Sequence, residues 1–424
     1  MTNSTWTGLS GTGDYNTAGN WSLGIPGSID TAFFGTSTVT DISMSTSNAE
    51  VGAWVFNPWA RQYSFSLSHS NLTFTGAGII INCPPASTPS IEIGIHSEID
   101  FYDNSTAGGA SITVDGNATR LQFHDGSTAG VALIYNSIET FFSDNSSADH
   151  ATIENHGDLE FMKYSDAGAA TIHTWANSFT EFFGSSTGAS AELNTELGGT
   201  VDFSQSAGPN GDRKLTIGSI AGAGAYHLGA DQLTVLSGDV SGLIDGLGGS
   251  LVKLGPGTLK LSGANNTYSG GTTIDQGTLD LAALGGAGTD DIVFGGKSHA
   301  TLTIENAALF GHHFTNNIDF FGKHDVLDLS GLKFHKGATA KYHPATDILD
   351  VHSGHVTDVF TLLSPHGTHF AVTNDGHGST TVTLDPPHHT AVVASPSTND
   401  VAEQHWATDI AGSAGHLSDF LFTA

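Results

Sequence analysis

The chain has 424 residues, 13% of them charged, and its 42 Asp and Glu against 12 Lys and Arg give a formal net charge of −30. That balance excludes nucleic acid, whose phosphates need basic patches, and electrostatic docking on an anionic membrane. Cys83 is the sole cysteine, so no intramolecular disulfide forms, and no stretch approaches the roughly 18 apolar residues of a membrane-spanning helix.

Residues 1–35 carry Trp6-Thr7-Gly8, Gly13-Asp14-Tyr15-Asn16, Gly19-Asn20-Trp21 and Pro26-Gly27-Ser28-Ile29-Asp30-Thr31-Ala32-Phe33. The first 15 residues are polar and lack the basic and apolar regions of a cleavable leader. Two readings are open for this segment: a cap that closes the end of a stack of repeats, or a carbohydrate platform built on Trp6 and Trp21. The opening resembles the start of bacterial autotransporter-type passengers, in which W-x-G, G-N-W and P-G-x-x-D-x-A-x-F precede the repeats.

Residues 36–98 read as irregular early rungs. Val51, Trp54, Val55 and Phe56 form an apolar strand, and Leu72-Thr73-Phe74 and Ile91-Glu92-Ile93 alternate. Pro84, Pro85 and Pro89 predict a loop that leaves the stack.

Residues 99–203 repeat one pattern five times. Ser105-Thr106-Ala107-Gly108 returns as Ser127-Thr128-Ala129-Gly130, Ser146-Ser147-Ala148-Asp149, Ser165-Asp166-Ala167-Gly168 and Ser186-Thr187-Gly188-Ala189. Each copy is followed by a small residue and an aliphatic partner, as in Ala110/Ile112 and Ala132/Ile134. Aromatic residues stand at 101, 123, 142, 161, 182 and 203, steps of 22, 19, 19, 21 and 21. A step near 20 marks stacked repeats, and alternation such as Leu121/Phe123 marks strands with one buried face. No window shows helical spacing. An antiparallel sandwich has no reason to repeat its sequence at this step. The expected fold is therefore all-β: a parallel right-handed β-helix, or β-solenoid, with the small-residue tract as a tight corner and Phe and Ile in internal stacks.

Residues 205–248 are glycine-rich and keep a shorter strand spacing. Residues 249–282 carry Leu251-Val252-Lys253-Leu254-Gly255-Pro256-Gly257-Thr258-Leu259-Lys260-Leu261-Ser262-Gly263-Ala264-Asn265-Asn266-Thr267-Tyr268-Ser269-Gly270-Gly271-Thr272, followed by Gly277-Thr278-Leu279. This segment resembles the autotransporter-associated β-strand repeat, L-x-K-x-G-x-G-T-L-x-L-x-G-x-N-x-Y-x-G-G-T-x-x-x-x-G-T-L. The resemblance implies a passenger-domain β-helix rung. Asn265 is expected to be a stacked asparagine at a turn, with the glycines as corners.

Gly285-Gly286-Ala287-Gly288-Thr289-Asp290 fits the nonapeptide of calcium-binding secreted repeats. Calcium at Asp290 and Asp291 is one reading, a plain turn the other. No other cofactor is expected. Residues 286–384 change character, with Val326-Leu327-Asp328-Leu329, Ile348-Leu349-Asp350-Val351 and Val359-Phe360-Thr361-Leu362-Leu363. They predict a C-terminal β-module or a continuation of the solenoid. The expected division is therefore a cap at 1–35, a solenoid at 36–285, this module, and a linker and tail at 385–424. The tail reads either as a frayed end or as an uncleaved secretion signal of the type I exporters. The region after 285 is too short and too acidic for the membrane barrel that ends an autotransporter. The expectation is a partial chain or another export route.

Fifteen of the 22 histidines lie at or beyond His299, with His312-His313, His352/His355 and His388-His389 as close pairs. They lack the ligand spacing of a zinc site, so solvated side chains are expected. Asp100, Asp103, Asp125, Asp144, Glu160 and Asp202 could line one face, as in polysaccharide lyases and glycosidases on β-helices. However, only Arg61, Arg120 and Arg213 supply guanidinium groups. The reading is a secreted or cell-surface bacterial β-solenoid, a scaffold or adhesin that contacts a host or environmental surface, glycan or protein and meets export machinery on its way out. The alternatives are a polysaccharide-processing enzyme and a calcium-dependent extracellular binding module.

Overall fold

A computed structural model describes residues 3–45, 48–296 and 299–385. The linker and tail beyond residue 385, including His388-His389, lie outside the described residues.

Four-residue strands with two inward side chains are too short to bury a face alone. Their stability comes from the rungs above and below. One face of the molecule is a twelve-stranded parallel sheet that starts at Asn3–Thr5 and Thr31–Phe34 and ends at Ala225–His227 and Leu243–Asp245. Between them Glu98–Phe101, Arg120–Phe123, Glu139–Phe142 and Asp158–Phe161 pair in unbroken register, residue over equivalent residue. The second face is the parallel ladder Asp41–Ser45, Ser64–Ser68, Ser90–Ile93, Ser111–Val114, Leu133–Asn136, Thr152–Asn155, Thr171–Thr174, Glu192–Thr195. The expected corner is the third side. Thr106, Thr128, Ser147, Asp166 and Thr187 bridge one residue per rung, and the flanking Ala107, Ala129, Ala148 and Ala167 are fully buried at the bend.

The interior is a set of columns. Phe74, Phe101, Phe123, Phe142, Phe161, Phe182 and Phe203 stack in sequence, with centroids 4.6–5.0 Å apart and interplanar angles of 3–19°. Ile91, Ile112, Ile134, Ile153, Ile172 and Leu193 form a second column. At the corner between the sheets the column turns polar. Asn136 Nδ2 donates to Asn155 Oδ1 at 2.8 Å, and Asn155 Nδ2 donates to the Phe179 carbonyl at 2.7 Å. These amides satisfy backbone groups that a bend takes out of the ladder.

Trp6 and Trp21 are only 2% and 5% exposed. Their rings meet edge to face at 5.2 Å, and their indole N–H groups donate to the carbonyls of Val39 and Tyr15, each at 2.8 Å. With both rings inside, neither offers a face to a sugar, and the carbohydrate-platform reading of this pair is corrected.

Past residue 230 the second ladder divides. The long strand Gln232–Val240 pairs with Ser250–Lys253 through its first half and with Thr258–Leu261 through its second. Two parallel ladders then run on through Thr272–Ile274 and Ile292–Phe294, and through Gly277–Leu281 and Ala300–Ile304. The parallel pairing thus crosses residue 285 unbroken. Antiparallel pairing begins later. Val326–Lys333 is parallel to Ala300–Ile304 and antiparallel to Ser379–Leu384, while Thr339–His343, Ile348–Ser353 and Val356–Leu363 form a meander. This β-rich module reverses strand direction at the end of the parallel ladders.

Asn265 is not the stacked asparagine. It sits exposed at φ +67°, and its neighbour Asn266 points inward. Asn266 Oδ1 accepts from the Ile244 N–H at 2.8 Å, and Nδ2 donates to the Gly286 carbonyl at 2.7 Å. The left-handed residue turns the chain, so the following side chain takes the interior place.

Candidate functional site: the acidic lateral face

Alternation that sends Phe and Leu inward sends every second residue of the twelve-stranded sheet outward. Register then sorts these residues into two columns. One runs Glu98, Arg120, Glu139, Asp158, Phe179. The other runs Asp100, Gln122, Phe141, Glu160, Glu181, Asp202, His227, Asp245. Rungs are about 4.8 Å apart, so Glu160, Glu181 and Asp202 are like charges in three consecutive rungs, an arrangement that is unfavourable by itself.

The electrostatics follow from this crowding. Glu98, Glu160 and Glu181 are raised above the usual carboxylate range, first by partial burial and then by neighbouring charge: Asp100 beside Glu98, Glu181 beside Glu160, and Asp202 beside Glu181. Asp158 is raised by burial and by Glu139. Opposing charge is sparse. Arg120 Nε donates to Glu139 Oε2 at 2.7 Å, and its guanidinium lies 5.8 Å from the centroid of the Phe141 ring. Gln122 donates to both Glu98 and Asp100. His124 stacks on Tyr102 at 4.5 Å with Nε2 3.5 Å from Asp100, and His227 lies 2.7 Å from Asp245. The face is a strip of closely spaced carboxylates with a negative field, suited to holding cationic groups.

The six acids expected on one face divide between two. Asp100, Glu160 and Asp202 share the outward column. Asp103, Asp125 and Asp144 sit one above another at a turn, each in the left-handed region at φ 58°, 54° and 60°. Lys163 and Gly184 occupy the same position in the next rungs, at φ 60° and 63°. These aspartates build the turn, a conformation that Asp and Gly tolerate. Asp125 Oδ2 accepts from the Asp103 N–H, and Lys163 Nζ lies 2.5 Å from Asp144 Oδ1, holding the Asp144 carboxyl below its ordinary range.

Asp290 and Asp291 lie in the turn before Ile292–Phe294. The Asp290 carbonyl accepts from Asn316 at 2.7 Å, and the Asp291 carboxylate accepts from Asn317 at 2.8 Å. Among the described residues no three His, Cys, Asp or Glu side chains are grouped to hold a metal ion. The paired histidines part company. His312 contacts the buried Asp358 at 2.8 Å, His313 makes a backbone bridge to Val359, and His352 reaches Thr357 at 2.9 Å.

Lys253 was not singled out by sequence, yet it is completely buried. Its ammonium donates to the carbonyls of Leu254, Gly255 and Gln276 at 3.1, 2.7 and 3.0 Å, and burial lowers its pKa to about 8. Alternation from Leu251 places it inward, which was the available signal.

The passenger-associated-transport-repeat family matches residues 251–281, the rungs that contain Lys253 and Asn266. The adhesin BmaC autotransporter of Brucella suis biovar 1 (strain 1330) is 30% identical over 146 residues, covering 32% of this chain. The match spans only 4% of that relative's length. No solved structure matches the chain.

Proposed function

Starting from a chain built as an autotransporter passenger-type β-solenoid, we propose that this protein works at the bacterial cell surface as a scaffold and adhesin whose contact surface is the acidic lateral face. The observation that carries this reading is the outward column from Asp100 to Asp245, in which register holds Glu160, Glu181 and Asp202 in successive rungs with little opposing charge. A strip of this kind favours a partner rich in Lys or Arg, and the attraction weakens with salt. The name of the Brucella relative supports the adhesive part of the reading, and the transport-repeat match supports export to the surface.

The test is adherence. Bacteria that display this chain should adhere to host cells and to a polylysine-coated surface better than bacteria that do not. The Glu160→Gln/Glu181→Gln/Asp202→Asn variant, displayed at the same level, should lose most of that gain. Equal adherence with and without display removes the adhesin reading. Chain cleavage of pectin or alginate by the purified protein would replace it with the polysaccharide-processing alternative, for which the raised carboxyls of Glu160 and Glu181 would be the first residues to examine.

A further inference from the structure

Where the parallel ladders give way to the antiparallel module, a groove of about 440 Å³ is lined by Gly296, His299, Gly322, Lys323, His324, Asp325 and His366. Its chemistry is opposite to that of the acidic face. The chain as a whole carries 42 acidic and 12 basic side chains, yet this groove collects one ammonium and three imidazoles against one carboxylate.

That carboxylate is already engaged within the loop. Asp325 is only 3% exposed, and its Oδ2 accepts from the Gly322 N–H at 2.7 Å. The loop that holds the groove is fixed at several points. The Phe320 N–H donates to the Leu363 carbonyl at 3.2 Å, the His366 N–H donates to the Phe321 carbonyl at 3.0 Å, and Phe321 is buried. The His299 and His324 rings lie 4.8 Å apart. Gly322 sits close against these side chains. A Cβ at this position would stand 3.1 Å from Asp325 Oδ2 and 3.2 Å from His366 Nδ1. The exposed Lys323, His299, His324 and His366 therefore line a preformed opening whose acid is already occupied, with a volume in the range of small-ligand sites.

We propose that this groove binds the oxyanion group of a small anionic ligand, a carboxylate or phosphate, through Lys323, His299, His324 and His366. Ammonium and imidazolium groups form charge-assisted hydrogen bonds to such oxygens. Histidine gains charge as pH falls from 8 to 5, so binding strengthens over that interval. Among the described residues, the charged and titratable groups that line the groove are these four and Asp325. The site lies apart from the acidic face and does not depend on the adhesin reading.

The experiment is calorimetric titration of the full chain with inorganic phosphate and, separately, with galacturonate, at pH 5.5 and pH 8. Saturable one-site binding that is stronger at pH 5.5 is expected. It should weaken about tenfold in Lys323→Ala, roughly the worth of one charge-assisted hydrogen bond, and remain unchanged in Lys214→Ala, which removes an exposed ammonium elsewhere on the chain. Tighter galacturonate identifies a sugar acid as the source of the oxyanion, and tighter phosphate identifies a phosphate. No saturable binding of either, or binding that Lys323→Ala and His324→Ala leave unchanged while both variants melt like the parent, overturns the proposal. So does tight binding of zinc alone with no response to either anion.

Discussion

Phe123 and Phe142, 19 residues apart in sequence, lie face over face with centroids 4.6 Å apart and planes 3° from parallel. This is the tightest contact in a seven-ring column, and it places the stability of the rod in interactions between rungs. Phe142→Ala removes a ring from the middle of the column and should cost about 3–5 kcal/mol, the range for a buried Phe. Phe142→Leu should cost clearly less. Urea unfolding with both variants tests this, and a cost below about 1 kcal/mol for the alanine variant would mean that the column contributes little.

Asp231 should make stability fall as pH rises from about 4 to 6. It is 1% exposed, neither carboxylate oxygen accepts a hydrogen bond, and Arg213 is no closer than 3.8 Å. Burial raises its pKa to about 6, against about 3.9 in an unfolded chain. Between those values the folded state binds more protons than the unfolded state, so stability declines with rising pH and stays lower above 6. Asp231→Asn should melt higher than the parent at pH 7 and lose this contribution to the slope. Identical melting profiles from pH 4 to 7 would show that the carboxylate is hydrated.

Lys253 predicts the opposite slope in a different window. Its folded pKa of about 8 lies below the unfolded value of about 10.4. The unfolded state therefore binds more protons between pH 8 and 10.4, and stability rises with pH across that interval. Lys253→Met removes this slope and leaves the carbonyls of Leu254, Gly255 and Gln276 without this donor, which should cost about 1–3 kcal/mol at pH 7. A variant as stable as the parent at pH 7 would show that removing the buried charge offsets the lost contacts.

The acidic face should be less stable for its charge. Glu160→Gln and Glu181→Gln each relieve like-charge contact between neighbouring rungs and should stabilise by about 0.2–1 kcal/mol at pH 7. The gain should shrink toward pH 4, where the raised carboxyls of the parent are protonated. A gain that persists unchanged at pH 4 would assign it to something other than charge.

Calcium should matter little to folding. With the Asp291 carboxylate accepting from Asn317, adding EGTA to the full chain should leave the melting midpoint where it was. A clear fall that excess calcium reverses would place an ion at Asp290 and Asp291.

The step near 20 residues, the strands and the phenylalanine column were all readable in the chain, because a repeat states each position several times and a ladder only stacks what is repeated. The acids were visible too, but their grouping was not. Asp100 and Asp103 are three residues apart, yet one is on a strand and the other at a left-handed turn, so they belong to different columns. Asn265 and Asn266 show the same limit at closer range, since one positive φ exchanges inside for outside.

What the sequence determined by itself was the periodic part of the protein: which side chains face inward, and that each rung lies on the next. The tertiary structure decided everything that occurs once. Lys253 became a buried donor because three carbonyls converge on it, and the histidine groove exists because parallel pairing of Ile292–Phe294 with Ile318–Asp319, and of Ile318–Asp319 with Val356–Leu363, brings Gly296, His299, residues 322–325 and His366 together. Contacts between distant segments leave no period behind, so only the folded chain reveals them.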